Sequence, residues 1–300
     1  MITRHMIMKH MKKFVVIIAA VLAMVGCADG QKNNGPKICA HRGFWNCEET
    51  MFSENSIASL RQAQECGLWG SEFDIHLTAD SVVVVNHDPV VDGMPIHRTN
   101  YSELLSHRLP NGETIPTLDE YLAQGALSGT AAAKKSAGPS NSTAAKKSAG
   151  LGKSARKSAP CMLVIELKKQ DSREAGIRMA EMTVAALKEH GLYDPDRAMF
   201  ISFDYNICKW LAVNAPEFQN QYLQGDKSPE EVNADGINGI DYHRGVLRKH
   251  PEWVEQAHAL GMGVNVWTVN DEEEMRYFID LGVDVITTNE PLMLSGLLAI

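Results

Sequence analysis

This 300-residue chain lacks zinc-type cysteine spacing, an apolar run of membrane-spanning length and an excess of basic residues, and each absence excludes a class of protein. Its six cysteines form no C-x-x-C pair and no Cys/His spacing typical of zinc sites. The apolar run at residues 14–25 is shorter than the roughly 20 residues that a membrane-spanning helix needs. Acidic residues outnumber basic ones by 37 to 29, and the resulting net charge of −8 argues against a general affinity for nucleic acids.

The cysteine pattern does not define a disulfide. Cys39, Cys161 and Cys208 lie in apolar runs, where a buried free cysteine is common. Cys47 and Cys66 fall in a predicted loop and a predicted helix. An exported protein can form disulfides, so one bridge remains open, but the spacing does not identify the pair.

The N-terminal segment has the parts of a secretory signal peptide. Lys12 and Lys13 precede the apolar run, and Gly26 and Cys27 close it. A basic region, an apolar region and a small residue at the end are the three parts of such a signal. We therefore expect residues 1–27 to act as a targeting segment and not as part of the folded domain.

The end of this signal resembles the bacterial lipobox, in which the cysteine is lipidated and becomes the new N-terminus. The motif runs Met24-Val25-Gly26-Cys27, with methionine where leucine is usual, so cleavage by the ordinary signal peptidase stays open. Residues 28–37 are mostly polar and predict a flexible tether. The sequence thus predicts an exported protein, periplasmic or on the cell surface, that is anchored to the membrane through lipidated Cys27.

Short β-branched runs alternate with amphipathic stretches along residues 38–300. This alternation predicts an α/β fold with a parallel sheet, whose active residues gather at the carboxyl ends of the strands. The candidate helices include 56–64, 118–123, 173–190 and 271–281. The nine candidate strands are 38–41, 72–77, 82–87, 162–168, 199–203, 219–223, 236–241, 263–269 and 283–287.

Nine candidate strands are one more than the eight of a closed (β/α)8 barrel. The runs at 72–77 and 82–87 are joined by only four residues, whereas a parallel crossover needs about a dozen. Either these two runs form an antiparallel hairpin or one of the candidate strands is wrong.

Two segments interrupt the alternation of strands and helices. Residues 88–116 contain several prolines and glycines and predict a small loop-like insertion. Residues 128–159 are low in complexity, with seven basic residues and no acidic ones, and they predict a disordered loop. Contact with anionic lipid is one function that fits this basic loop, and a tolerated loop expansion is the simpler interpretation.

Three acidic residues lie inside apolar, strand-like runs. Glu72 and Asp74 are two residues apart, so a strand would place them on one face, and Glu166 shares a face with Lys168 in the same way. Buried carboxylates are costly unless they are paired or bound to metal. A solvent-facing edge strand would explain one of these pairs, but two pairs would require two coincidences. An all-oxygen ligand set suits a hard cation, Ca²⁺ or Mg²⁺.

Two histidines at the ends of apolar runs complete a candidate catalytic site. His41 is followed by Arg42, and His87 by Asp88, whereas the other nine histidines lack such neighbours. Two histidines in one site can divide acid and base catalysis between them. Arg42 offers a planar fork for phosphate oxygens, and Lys168 offers a point charge. This set of side chains favours metal-assisted phosphodiester chemistry.

An ordered series of motifs runs through most of the chain. The motifs are His-Arg-Gly (41–43), Glu-Asn-Ser (54–56), Glu-x-Asp (72–74), Leu-Thr-x-Asp (77–80), Val-Val-x-His-Asp (84–88), Ile-Glu-Leu-Lys (165–168) and Trp-Thr-Val-Asn (267–270). In this order they resemble the glycerophosphodiester phosphodiesterase family, whose ending is also similar to residues 284–291. Two departures are Ser53, where the family often has proline, and Asn289, where it often has aspartate. We expect neither departure to touch the chemistry.

The resemblance implies a TIM (β/α)8 barrel with a small insertion after the His-Asp strand. It also implies hydrolysis of glycerophosphodiesters to glycerol 3-phosphate and an alcohol, with a divalent cation. By position, the resemblance implies that His41 and His87 are the acid and the base. It also implies that Arg42 and Lys168 contact the phosphate. The implied metal ligands are Glu72, Asp74 and Glu166.

The roles of three aromatic residues are undecided at this point, and two other classes of function remain as alternatives. Phe44, Phe203 and Trp267 are candidates for lining the glycerol end of the site, although each fits a core position equally well. A related phospholipase or phosphodiester lyase acting on intact lipids should carry an apolar rim or a wide cleft. A non-catalytic, ligand-binding lipoprotein should have lost a histidine or a metal ligand, and none is lost here.

Overall fold

Eight parallel strands close into a barrel in the part of the chain that the computed structural model describes, residues 35–127 and 160–299. The strands in chain order are β1 (Lys37–Ala40), β2 (Gly70–Leu77), β3 (Val83–Val85), β4 (Val90–Val91), β5 (Met94–Pro95), β6 (Met162–Leu167), β7 (Ala198–Ser202), β8 (Asn220–Tyr222), β9 (Gly239–His243), β10 (Gly263–Trp267) and β11 (Val285–Thr288). The barrel runs β1-β2-β6-β7-β8-β9-β10-β11 and closes because β1 pairs with both β2 and β11. The predicted TIM barrel is confirmed.

The helices surround this barrel and bury their apolar faces against it. They are α1 (Ile57–Glu65), α2 (Tyr101–Leu104), α3 (Leu118–Gly125), α4 (Arg173–Glu189), α5 (Tyr205–Asn214), α6 (Pro229–Ala234), α7 (Arg244–Lys249), α8 (Glu252–Ala259), α9 (Glu272–Leu281) and α10 (Pro291–Leu298). Several begin at a polar cap: the side chains of Ser56, Thr117 and Asp271 accept backbone N–H groups of the first turn. None of the helices in the described ranges is both long enough and apolar enough to cross a membrane.

The ninth candidate strand lies outside the barrel. β3 pairs with β2 in the antiparallel direction, with Ile75 opposite Val85 and Leu77 opposite Val83. The short link between the two runs therefore forms a hairpin, which is one of the two outcomes that its length allowed. The hairpin brings the segment that ends at His87 back alongside Asp74, whose backbone oxygen accepts from the Asn86 backbone N–H at 3.0 Å.

The 88–116 insertion contains short elements and a small apolar core of its own. β4 and β5 form a hairpin, and α2 follows after a turn of 3₁₀ helix at Ile96–Arg98. The cluster that holds the insertion together consists of buried Val84, Val91, Ile96, Leu104 and Ile115. The insertion thus packs against the β2–β3 hairpin through Val84.

The barrel interior holds both an apolar cluster and buried polar side chains. Residues from β1, β6, β7 and β11 form an apolar cluster, whereas Gln221, Asp241 and Asn265 from β8, β9 and β10 are buried polar side chains. The Gln221 side chain needs the space beside Gly239, because a Cβ there would lie 2.5 Å from Gln221 Cγ. The five cysteines within the described ranges are all free thiols.

Two predictions concern residues outside the described ranges. The signal peptide, lipidated Cys27 and most of the tether fall within residues 1–34, and the whole low-complexity loop is residues 128–159. These interpretations stay predictions.

Candidate active site

The strand ends bring most of the predicted site residues to one side of the barrel mouth. His41 follows β1, Glu72 and Asp74 lie in β2, and Glu166 lies in β6. These three strands are neighbours, and Asp74 is directly opposite Glu166 in the strand register. The β2–β3 hairpin carries His87 to the same end. Side chains that are far apart in sequence therefore meet at one carboxyl-terminal face.

Three carboxylates form a compact, buried cluster. One oxygen each from Glu72, Asp74 and Glu166 lies within 4.8 Å of the others, and Glu72 and Asp74 are only 3% and 1% exposed. Burial and the neighbouring carboxylates raise the pKa of Glu72 well above its usual value and that of Glu166 to about 7. Glu72 Oε1 has no hydrogen-bond partner among the described residues. The donor set and this unpaired oxygen fit a hard divalent cation.

Lys168 partly balances the negative charge of this cluster. Its Nζ lies 2.8 Å from Asp74 Oδ1 and 2.7 Å from Glu166 Oε1. Burial alone would raise the pKa of Asp74, but the charge and hydrogen bond of Lys168 hold it below its usual value. Lys168 thus stands at the edge of the carboxylate cluster with its cationic end buried between two anions.

The His-Arg-Gly motif forms a tight turn that places its arginine against the carboxylates. Arg42 has a φ of 55°, its backbone N–H donates to Glu72 Oε2 at 2.8 Å, and its Nη1 donates to both oxygens of Glu54. The next residue, Gly43, has a φ of 79°, and a Cβ there would collide with the side chain of Ser59. Glycine is therefore required for the turn to approach α1 so closely.

Asn55 clamps one of the carboxylates from two directions. Its Nδ2 donates to Asp74 Oδ2 at 2.8 Å, and its Oδ1 accepts from the Asp74 backbone N–H at 3.2 Å. Asn55 has a φ of 51°, a conformation that asparagine tolerates better than most residues. Asn55 was not among the predicted site residues, although the Glu-Asn-Ser motif was a signal for it.

Asn289 contacts His41, so the expectation that this departure lies away from the chemistry is wrong. His41 Nδ1 donates to Asn289 Oδ1 at 2.8 Å, and Asn270 Oδ1 accepts from the Asn289 backbone N–H at 2.8 Å. An amide oxygen can only accept, so the proton of the neutral imidazole lies on Nδ1 and Nε2 carries the lone pair. Burial, and then the charge of Arg42, lower the pKa of His41 to about 4.

His87 is oriented from two sides. Its Nδ1 donates to Asp88 Oδ1 at 2.7 Å, and its backbone oxygen accepts from His76 Nε2 at 3.1 Å. His76 is buried in β2 on the face that carries Glu72 and Asp74. The expectation that the other nine histidines lack relevant neighbours is therefore wrong for His76. Its two-residue spacing from Asp74 was the available signal.

The three predicted aromatic residues separate into two groups. Phe203 and Trp267 meet at the mouth, with ring centroids 5.6 Å apart, and Trp267 Nε1 donates to the Asp241 backbone oxygen at 3.0 Å. Phe44, in contrast, is 5% exposed and packs in a core cluster that includes Ala63 of α1. The interpretation of Phe44 as a substrate-lining residue is corrected, because the turn after His41 directs its side chain into that cluster.

Comparison with known proteins places this geometry in a family. Residues 41–293 match the glycerophosphoryl diester phosphodiesterase family. A curated glycerophosphodiester phosphodiesterase from Caldanaerobacter subterraneus is 28% identical over 87% of this chain and 96% of its own length. The crystal structure of a glycerophosphodiester phosphodiesterase from Parabacteroides distasonis shares 38% identity and a TM-score of 0.74, covering 88% of this chain and 97% of that one.

A more distant structure shows the same fold. A phosphodiesterase from Oleispira antarctica, solved with its product sn-glycerol-3-phosphate, has a TM-score of 0.66 at 22% identity, over 89% of this chain and 98% of that one. The family match covers the barrel from His41 to the start of α10 and includes every residue of the carboxylate cluster. The chain belongs to the glycerophosphoryl diester phosphodiesterase family.

Proposed function

We propose that the protein hydrolyses glycerophosphodiesters to glycerol 3-phosphate and an alcohol. The observation that carries this proposal is that a three-carboxylate cluster, two oriented histidines and the cationic side chains of Arg42 and Lys168 meet at one barrel mouth. Family membership and the curated relatives support the same reaction class.

Glu72, Asp74 and Glu166 are the proposed ligands of one divalent cation, Ca²⁺ or Mg²⁺. Their burial makes three like charges costly, which is why such a cluster favours a bound cation. When bound, such a cation would neutralise charge that develops on a phosphate oxygen. Asn55 and the Arg42 backbone N–H hold Asp74 and Glu72 in orientation for that role.

His41 is the proposed general base. Its neutral form is favoured by burial, and the hydrogen bond from Nδ1 to Asn289 leaves the lone pair of Nε2 free to accept a proton. That proton would come from a water molecule or from the 2-hydroxyl of the substrate glycerol. An anionic phosphodiester beside the imidazole would raise the pKa of His41 toward the working range of a base.

His87 is the proposed general acid for the departing alcohol. The Asp88 carboxylate accepts from its Nδ1 and can pair with the charged imidazolium. His76 fixes the position of the His87 backbone. Arg42 and Lys168 are proposed to bind the phosphate oxygens, the first as a planar fork and the second as a point charge.

A second substrate class, intact lipids, is favoured by one observation. Met51 and Phe52, in the loop between β1 and α1, are 57% and 54% exposed, and Leu292 and Met293 are exposed at the start of α10. Asn46 Nδ2 donates to Glu290 and ties these two loops together on the His41 side of the mouth. Such side chains would give the mouth the apolar rim that a lipid substrate needs. Faster turnover of lysophosphatidylcholine than of glycerophosphocholine would support this class.

The proposed location is the exported face of a membrane, through a lipid on Cys27. The support is the sequence of the signal segment. Metabolic labelling with a fatty acid should mark the wild type and not Cys27→Ser. A label that persists in the variant, or a native protein found entirely in the soluble fraction, would contradict this location.

The reaction is tested with the purified protein and a panel of glycerophosphodiesters. Release of glycerol 3-phosphate is followed by a coupled dehydrogenase assay, with added Ca²⁺ or Mg²⁺ and again with excess chelator. We expect release from at least one diester, and we expect chelator to abolish it. No release in the presence of either cation would contradict the proposed reaction, and full activity in chelator would contradict the metal site.

A further inference from the structure

A fourth histidine stands at the barrel mouth, across from the carboxylate cluster. His243 is the last residue of β9 and is exposed. Asp241, two residues earlier on the same strand face, is buried inside the barrel, so the side chain of His243 belongs to the inner face at the open end. Three strands separate β9 from β2 on either side of the barrel. His243 therefore lies opposite the strand that carries Glu72 and Asp74.

His243 belongs to an aromatic wall. It is paired in register with Trp267, and the two rings meet edge to face with centroids 5.2 Å apart. Phe203 contacts the same indole at 5.6 Å. The wall comes from β7, β9 and β10, whereas the charged residues come from β1, β2 and β6. One half of the mouth thus carries the charged groups, and the other half offers aromatic rings to a carbon skeleton.

The tautomer of His243 makes it a hydrogen-bond donor. The Gly245 backbone N–H donates to His243 Nδ1 at 3.1 Å, so Nδ1 carries the lone pair and the proton of the neutral ring lies on Nε2. Within the described ranges, Nε2 has no protein partner. Glycine at 245 leaves room for this contact, because a Cβ there would lie 3.2 Å from Nδ1. His243 therefore offers one oriented N–H group beside two aromatic rings.

We propose that His243 is a specificity-determining residue that donates from Nε2 to a hydroxyl oxygen of the substrate glycerol. Trp267 and Phe203 pack against the carbon atoms of that glycerol, while its phosphate lies on the charged half of the mouth. The proposal rests on the proposed function, because it assigns the glycerol end of that same substrate. A site that hydrogen-bonds a hydroxyl group discriminates against analogues that lack it.

The test compares the wild type and three variants, with two substrates and two inhibitors. The variants are His243→Phe, which keeps the ring but removes the donor, and His243→Gln, which keeps a donor. His190→Gln is the matched control, because His190 pairs with Asp119 at the outer end of α4. The substrates are glycerophosphocholine and glycerophosphoethanolamine. The inhibitors are glycerol 3-phosphate and inorganic phosphate, which differ by the glycerol.

We expect His243→Phe to lose about tenfold in kcat/KM on both substrates, mainly through KM, because one hydrogen bond contributes about that much. Inhibition by glycerol 3-phosphate should weaken by a similar factor, and inhibition by inorganic phosphate should be unchanged. His243→Gln should retain most of the wild-type kcat/KM and most of the inhibition by glycerol 3-phosphate. His190→Gln should match the wild type.

Three outcomes would overturn the assignment. Equal weakening of inhibition by phosphate would mean that His243 acts through the general structure of the site. A loss on only one of the two substrates would place the contact at the leaving alcohol. Unchanged kinetics in His243→Phe would remove the residue from recognition altogether. If the wild type releases no glycerol 3-phosphate from either substrate, the proposed function itself fails, and this assignment fails with it.

Discussion

Asn289 accepts a hydrogen bond from His41 Nδ1 at 2.8 Å, across 248 positions of sequence. The contact joins the carboxyl ends of β1 and β11, which are neighbours in the barrel. Because the partner is an amide and not a carboxylate, it fixes the tautomer of His41 without adding a negative charge. A neutral partner of this kind suits a histidine that must be uncharged when the substrate arrives.

The first prediction concerns the charge of this partner. In Asn289→Asp the carboxylate would favour the imidazolium and raise the pKa of His41 from about 4. The fraction of neutral base at a given acidic pH would fall. The acidic limb of the profile of kcat/KM against pH should therefore move to higher pH than in the wild type. An unchanged limb would mean that His41 is not the group whose deprotonation it reports.

The second prediction separates the two histidines. His41→Ala and His87→Ala should each lose about 10²–10⁴-fold in turnover, the usual cost of losing a general acid or base. Both should keep the native circular dichroism spectrum, since each side chain lies at a strand end and is only partly buried. A diester with a good leaving group, such as a nitrophenyl ester, should rescue His87→Ala and not His41→Ala.

His190→Ala is the control for both variants, because this histidine lies at the end of α4 and its side chain pairs with an exposed aspartate. It should retain wild-type turnover. Equal rescue of both active-site variants by the good leaving group would contradict the assigned division into base and acid.

The third prediction concerns His76, which donates to the His87 backbone at 3.1 Å. His76→Ala should lower kcat with little effect on KM, because the acid would be misplaced while the phosphate contacts remain. His76→Gln can donate from a similar position and should recover much of the loss. A glutamine variant as impaired as the alanine variant would indicate that the imidazole is needed for packing, and not for this hydrogen bond.

The fourth prediction concerns stability and pH. Burial raises the pKa of Glu166 to about 7. Without metal, the folded state therefore binds this proton more tightly than the unfolded state. Its contribution to stability is present below the unfolded pKa, near 4.5, and is lost as the pH rises through about 7. In chelator, the unfolding free energy of Glu166→Gln relative to the wild type should thus rise between pH 5 and pH 8.

Added cation should make the wild type more stable than Glu166→Gln at pH 8. At about 100 times its Kd, the ion would stabilise the wild type by roughly 2.7 kcal/mol, and Glu166→Gln should gain much less. Glu181→Gln, an exposed change on α4, should behave as the wild type in both conditions. An equal gain in Tm for wild type and Glu166→Gln would contradict the assignment of Glu166 as a ligand.

Local sequence patterns were sufficient to predict an α/β fold with parallel strands and the pairing of Glu72 with Asp74 on one strand face. Strand periodicity put Glu72 and Asp74 on one face, and the family resemblance implied the closed barrel in which Glu166 lies beside them. Because the link before β3 is short, the ninth candidate strand had either to form a hairpin or to be a wrong prediction. These inferences succeeded because they depend on spacing of a few residues and on the regular geometry of parallel strands.

The contacts that orient the site could not be predicted in this way. His41 and Asn289 meet because β1 and β11 are neighbours in the closed barrel, and His243 meets Trp267 through the register of β9 and β10. The first relationship requires barrel closure and the second requires exact strand register, and no local pattern encodes either. Phe44 was misplaced for a related reason: it lies beyond the strand end, in a turn where the alternation of faces no longer applies.

In the proposed reaction the alcohol leaves from the phosphate and the phosphate stays on the glycerol. Phosphorus NMR of a glycerophosphocholine digest, with Ca²⁺ or Mg²⁺ present, tests it most directly because it identifies the bond that is broken. We predict a growing phosphorus signal of glycerol 3-phosphate, with one equivalent of free choline in the proton spectrum of the same sample. Phosphocholine with free glycerol, or an unchanged substrate signal, would contradict this account of the protein.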